Sequence, residues 1–248
     1  SEANLHRVES ATRRMKNGSL RLAQVSETSM MLYLTNVIDI SLAPIIGRIT
    51  QRIKKECADI LELTPSYTSI LIETNPLAVE LEKLEGGIMS IAQEEITRSL
   101  ENENPQSGKL IELPVYYHRD VGPDIDSVAE KSGLLVEELI SIHSGRDYTV
   151  CAIGFAPGFA FLAEVDERIN HPRHKRPRAI VPGGSVGIAE KQTAVYPSET
   201  PGGWQIIGNC PIPLYHPNKK QLSPFEIGDQ VRFVPTDRKT YIQLGGHV

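Results

Sequence analysis

Through the first hundred residues, short apolar runs alternate with charged stretches, and the spacing of the apolar positions changes from segment to segment. Leu20 to Val25 and Met30 to Leu34 flank the polar Ser26, Glu27, Thr28 and Ser29, which predicts two strands joined in a hairpin. From Leu42 onward, Ile45, Ile46, Ile49 and Ile53 recur at three- and four-residue steps with Arg48, Gln51, Arg52, Lys54 and Lys55 between them, the signature of an amphipathic helix. Ile60 to Leu63 and Thr68 to Thr74 read as strands joined across Pro65 and Ser66. The unbroken Ile70-Leu71-Ile72 suggests a buried central strand. Asn75 and Pro76 then open a helix that runs through Leu77, Leu81 and Leu84, falters at Gly86-Gly87 and resumes to about Leu100.

The stretch 101–108 (ENENPQSG) has no large apolar residue and contains proline and glycine, so it reads as a linker. The expected organisation is therefore an α+β N-terminal domain over 1–108 and a second domain over 109–248. The second begins with a strand, Ile111 to Tyr117. Two helical segments follow: Asp124 to Lys131, with Gly133 as its stop, and Val136 to His143. Beyond Tyr148 the pattern breaks into short apolar runs punctuated by Gly and Pro: Val150 to Ile153, Ala179 to Val181, Val186 to Ile188, Thr193 to Tyr196, Gln205 to Ile207, Gln230 to Val234 and Tyr241 to Leu244. Many short strands with turn signals between them predict a β-barrel or sandwich, and no fixed-period repeat points to a propeller.

Composition narrows the function classes. A chain of 248 residues that is 40% hydrophobic and 23% charged can build a core. Its longest apolar runs are a few residues, against the roughly 20 a membrane-spanning helix requires. The first twenty residues mix Glu2, His6, Arg7, Glu9, Arg13, Arg14 and Lys16 with apolar residues, unlike a secretory signal, so the expectation is a cytoplasmic protein. Cys57, Cys151 and Cys210 fit neither a zinc pair nor a disulfide framework and read as reduced. A net charge of -5 argues against a general nucleic-acid binder.

The 19 glycines and 17 prolines punctuate the chain most densely between Ile153 and Gly208. Candidate ligand contacts fall there: Pro157, Gly158 and Phe159; Gly183 and Ser185; Tyr196; and Pro201, Gly202, Gly203 and Trp204. Glycine lets backbone amides turn toward a ligand, although tight barrel corners use the same residues. No P-loop, Rossmann fingerprint or nucleophile elbow is present. The segment His171 to Arg178 carries four positive charges, and Arg178, directly before a predicted strand, is the favoured anion-binding group. His171 and His174 have no cysteine or carboxylate at metal-ligand spacing, so no metal site is expected. His143, ending a predicted helix, reads as a favourable C-terminal cation.

The order of these blocks resembles one family, that of allophanate hydrolase subunit 1, KipI and the B subunit of 5-oxoprolinase. The matching residues include Val121-Gly122-Pro123-Asp124-Ile125, Ile142-His143, Ile153 to Phe159, Arg176-Pro177-Arg178, Val181 to Ala189, Gln192-Thr193, Tyr196-Pro197 and Thr200 to Gly208. The resemblance implies a cyclophilin-like β-barrel as the C-terminal domain. It further implies one component of an ATP-hydrolysing amide hydrolase that opens 5-oxoproline to L-glutamate, working with two 5-oxoprolinase partners, the KipA-like C subunit plus the A subunit. ATP would be bound by the complex. Alternatives within the family are an inhibitor of a sensor histidine kinase and a carboxyltransferase-like component for another small amide. Guided by the resemblance, Arg178 and the Gly183 to Ser185 backbone are expected to stabilise developing negative charge, and Gln192 and Thr193 to orient the amide. The chain departs from the family pattern at Phe161 to Val165 and at Glu190-Lys191, which are expected to lie in loops beside the site.

Overall fold

The structure, a computed structural model, describes residues 10, 12–13, 19–77, 81–101, 108–215 and 223–248. Most of the charged N-terminal stretch and the linker interior, 102–107, lie outside that range. The chain divides into two compact units, Ser1–Gly108 and Lys109–Val248.

In the first unit, β1 (Arg21–Ser26), β2 (Ser29–Tyr33), β3 (Ile60–Pro65) and β4 (Ser69–Thr74) form an antiparallel sheet in the order β1-β2-β4-β3. The hairpin and the amphipathic helix α1 (Ala43–Glu56) follow the sequence pattern, and α1 buries Ile45, Ile46, Ile49 and Ile53. Strand β4 is interior to the sheet, but it alternates: Ile70 and Ile72 are buried, Leu71 is half-buried and Glu73 is exposed. Its apolar run therefore covers one buried face, not two. Helix α2 (Leu81–Glu101) runs unbroken through Gly86-Gly87, contrary to the expected interruption. Burial of Ile88, Ile91, Ala92 and Ile96 outweighs the roughly 1 kcal/mol per glycine that helix propensity would cost. Glu95, buried on α2, receives Arg48 at 3.1 Å and Arg52 at 3.2 Å from α1, tying the helices together. The proposed start of this helix at Asn75 borders 78–80, which lie outside the described residues; Asn75 there accepts the Leu77 N–H in a turn.

The second unit holds a seven-stranded mixed sheet in the order β12-β9-β10-β7-β6-β13-β5. Its strands are β5 (Leu110–Val115), β6 (Asp147–Ile153), β7 (Ala160–Ala163), β9 (Ser185–Ala189), β10 (Gln192–Val195), β12 (Gln205–Asn209) and β13 (Gln230–Pro235). Among the described residues, only β5 and β13 pair in parallel. Tyr116, just past β5, exchanges both backbone hydrogen bonds with Asn209 at the end of β12, at 2.9 and 3.0 Å, so the outermost strands meet in a nearly closed barrel. A two-stranded ribbon, β8 (Arg178–Val181) with β11 (Thr200–Gly202), lies outside this sheet. Helices α3 (Ile125–Ser132), ended by left-handed Gly133, and α4 (Val136–Ser144) fall where their periodicity puts them.

Two local expectations are corrected, and the loop expected at Glu190-Lys191 is found as a turn. Tyr241 to Gln243 belong to a helix, α5 (Arg238–Gln243), with Leu244 as its C-cap, because Asp237 caps it by accepting the Thr240 N–H at 2.7 Å and only Tyr241 along it is buried. Phe161 to Ala163 are strand, in β7, not loop. Glu190-Lys191 is the tight turn between β9 and β10, with Glu190 at φ 53°.

Strand alternation sorts the barrel's apolar residues into two clusters. Val186, Ile188, Val195, Ile207, Leu162, Val150, Val231 and Phe233 form one core with Ile125, Val128, Ala129 and Leu139 from the helices. Their neighbours along the same strands, Ala189, Ala194, Tyr196 and Ile206, pack with Phe159, Val181 and Trp204 in a second cluster.

Candidate functional site

A pocket of about 310 Å³ opens over the second cluster, lined by Phe155, Phe159, Phe161, Arg173, Pro177, Tyr196, Pro201, Gly202, Gly203 and Trp204. Its floor is rigid: Phe159, Tyr196 and Trp204 are almost wholly buried. Phe159 meets Tyr196 and Trp204 edge-on at centroid distances of 5.4 and 5.7 Å and Phe161 at 4.8 Å. Phe155 stands at the rim, 70% exposed, on a turn that holds its backbone at φ 73° and ends in Gly158 at φ 83°. Left-handed backbone at a bulky residue is a strained arrangement, here retained by a turn in which the Phe159 N–H donates to Ala156 and the Gly154 N–H to Phe159. Two glycines make the floor possible. A Cβ on Gly187 would meet the Trp204 side chain at 3.0 Å, and one on Gly202 would collide with the Tyr196 hydroxyl.

Of the residues singled out in the sequence, Phe159, Tyr196, Pro201, Gly202, Gly203 and Trp204 come together at this pocket. Pro157 and Gly158 belong to the turn that carries Phe155 and Phe159, without lining the cavity. The others lie elsewhere. Arg178 sends both guanidinium nitrogens to Asp124, at 2.8 and 2.6 Å. Asp124 also accepts the Ile206 N–H at 2.7 Å, and His174 Nε2 lies 3.1 Å from it. Burial alone would raise the Asp124 carboxyl, but Arg178, the Ile206 amide and His174 together hold it below the ordinary carboxylate range. Arg178 is thus one half of a partly buried ion pair joining β8 to the start of α3, not an open anion receptor.

The Gly183 to Ser185 corner turns the amides of Gly184 and Ser185 inward. The Gly184 N–H donates to Tyr196 O at 2.7 Å and the Ser185 N–H to Pro182 O at 3.2 Å, while Gly183 O accepts from Asn209. Gly184 adopts φ 80° with its α-carbon against the Cys210 carbonyl, and the buried Ser185 hydroxyl meets no hydrogen-bond partner among the described residues.

Gln192 opens β10 opposite Ala163 and Ala189. Thr193 points into the barrel, on the face opposite Tyr196. Its hydroxyl donates to Gly187 O at 2.8 Å, so it accepts from His143, whose Nε2 at 2.9 Å carries the proton. His143 Nδ1 then accepts from the Tyr117 hydroxyl at 2.8 Å. Burial holds His143 down to about 3, so it is a neutral core histidine and not the terminal cation its helix position suggests.

Arg173 is the residue that sequence reasoning passed over in favour of Arg178. Its guanidinium carbon sits 5.6 Å from the centroid of the Trp204 ring, and among the described residues no carboxylate pairs with it. The available signal was membership of the charged run, which does not say which of its cations are already neutralised.

A pocket of this size has the dimensions of a small-ligand cavity. Residues 20–225 match the family model described as carboxyltransferase domain, subdomain C and D. The chain is 34% identical to the B subunit of 5-oxoprolinase from Bacillus subtilis over 89% of its length and 95% of that protein. It is 36% identical to the corresponding 5-oxoprolinase protein of Escherichia coli O157:H7 over 85% of its length and 94% of that protein. The chain belongs to this family of carboxyltransferase-domain proteins, which includes the B subunit of 5-oxoprolinase. Among solved structures, TTHA0988 superposes with a TM-score of 0.67 at 27% identity over 84% of this chain, which spans 40% of that one. Kluyveromyces lactis urea carboxylase shares the fold, with a TM-score of 0.64 at 17% identity over 90% of this chain and 22% of its own.

Proposed function

We propose that this chain is the B subunit of an ATP-dependent 5-oxoprolinase, opening 5-oxoproline to L-glutamate with hydrolysis of ATP to ADP and phosphate. The observation that carries the reading is the near full-length match to proteins named as the B subunit of 5-oxoprolinase. The pocket is consistent with it, since about 310 Å³ lies near the lower bound of ordinary ligand cavities and suits a compact lactam. A lactam resists water because its nitrogen lone pair is delocalised into the carbonyl. Transfer of the ATP γ-phosphoryl group to the lactam oxygen removes that protection. Water then adds at the ring carbon, the C–N bond breaks with its electrons going to nitrogen, which takes up a proton, and a second water hydrolyses the resulting acyl phosphate to the carboxylate and free phosphate.

On this reading the protein works in the cytoplasm with the KipA-like C subunit plus the A subunit of the enzyme, and ATP is held by the assembled complex. The amides of Gly184 and Ser185 are spent within the barrel corner, which argues for phosphate recognition elsewhere in the assembly. The barrel is proposed to be cyclophilin-like. A second reading, a carboxyltransferase-like component for another small amide, draws on the family model itself.

The test is to follow 5-oxoproline-dependent ATP consumption by the purified chain, by its partners, and by the mixture. Turnover in the complete mixture alone is expected. Full turnover by the partners without this chain would sink the proposal, and urea-dependent turnover in place of 5-oxoproline-dependent turnover would favour the second reading.

A further inference from the structure

We propose that the aromatic pocket takes a compact ring bearing a single carboxylate, with Arg173 as the group that anchors the carboxylate. This deepens the 5-oxoprolinase reading and rests on it for the identity of the ring, but the anchor is argued from the pocket itself.

The walls are three phenylalanines, a tyrosine, a tryptophan, prolines and glycines, and they offer one charge, that of Arg173. Of the other cations in the same run, Arg178 is held by Asp124, and Lys175 and Arg176 do not line the pocket. Arg173 instead projects over the Trp204 face. A guanidinium there keeps its charge and loses little hydration, because the ring's π-face attracts a cation without neutralising it. Its N–H fork remains available to a planar anion at the pocket mouth.

The floor selects the remainder of the ligand. Phe159, Phe161 and Trp204 present ring edges and faces suited to an apolar ring. Tyr196 supplies a hydroxyl at the same wall, kept protonated because burial pushes its phenol up. Such a wall can donate a hydrogen bond to a ring carbonyl. One guanidinium at the rim and an apolar floor suit one carboxylate; a triphosphate would bring several charges to a single cation.

Trp204 is the only tryptophan of the chain, so its fluorescence reports occupancy directly. The purified chain would be titrated with 5-oxoproline, cyclopentanecarboxylate, uncharged 2-pyrrolidinone and ATP. Both ring carboxylates should bind saturably in the millimolar range or below, and 2-pyrrolidinone at least about 10-fold more weakly, since a charge-assisted contact is missing. Arg173→Ala should weaken the carboxylates by roughly 10- to 100-fold and leave 2-pyrrolidinone unchanged, with Arg173→Lys intermediate. A lost fold would weaken all ligands together and lower the melting temperature, so the selective loss separates anchoring from packing. Equal binding of 5-oxoproline by wild type and Arg173→Ala overturns the anchor while leaving the 5-oxoprolinase reading intact. Binding of cyclopentanecarboxylate through Arg173 without any binding of 5-oxoproline supports the anchor and counts against that reading. ATP binding tighter than both carboxylates, or no saturable response to either, refutes the proposal.

Discussion

His143 is expected to make the barrel acid-sensitive below neutral pH. The imidazole is fully buried, hydrogen-bonded through both nitrogens and stacked on Phe233 at 4.7 Å, and its pKa is held down from 6.5 to about 3. In the unfolded chain the same side chain takes a proton below about 6.5. As pH falls below that value, the unfolded state gains a proton the folded state cannot accept, so stability declines until the folded-state value near 3 is reached. From about pH 7.5 to about pH 5 the loss is about 1.5 pK units at 1.36 kcal/mol each, or about 2 kcal/mol.

His143→Gln is the informative perturbation. A glutamine carbonyl can accept from Tyr117 and its amide can donate to Thr193, preserving the chain of hydrogen bonds without a titrating group. Urea unfolding of both proteins, monitored by Trp204 fluorescence across this range, should show the wild type losing about 2 kcal/mol more than the variant. Parallel curves, agreeing within about 0.5 kcal/mol at each pH, would falsify the claim that a neutral buried His143 governs the acid response.

Arg178→Ala should destabilise the barrel by about 2–4 kcal/mol, because it leaves the Asp124 carboxylate buried without its bidentate cation. That cost should shrink as pH falls through the depressed Asp124 value and the carboxyl is protonated; a pH-independent cost would contradict the assignment. Gly202→Ala should shrink the pocket and abolish ring-carboxylate binding, because its new methyl group and the rigid Tyr196 hydroxyl compete for one position. Wild-type affinity in that variant would show that Tyr196 can move aside. Burial raises the Cys151 thiol to about 12 and Cys210 to about 11, so native protein at mildly alkaline pH should alkylate at neither until unfolded, while half-buried Cys57 reacts first. Mass mapping that found Cys151 modified before Cys57 would contradict this.

Much of the secondary structure was legible because it rests on local signals. The isoleucines of α1, the polar turn of the first hairpin, Gly133 after α3 and the short runs of the barrel each name their element. The failures have equally local causes. Tyr241 to Leu244 looks like a strand until the Asp237 cap is recognised, and Gly86-Gly87 looks like a break until the buried face of α2 is known.

The site divides along a different line. Proximity in sequence placed Gln192 and Thr193 with Tyr196, and Arg178 with the glycine blocks, but a strand sends consecutive side chains to opposite faces. Thr193 therefore ends in the barrel interior against His143, while Tyr196 floors the pocket. By itself the sequence determined which residue types crowd between Ile153 and Gly208 and which family they belong to. Only the tertiary structure decided which cation is open. Asp124 lies fifty-four positions before Arg178 and claims it, and no pattern of spacing along the chain contains that pairing. Charge neutralisation is a matter of distances of about 3 Å between groups far apart in sequence. That is why Arg173, the less prominent member of the same run, is the guanidinium left facing the pocket.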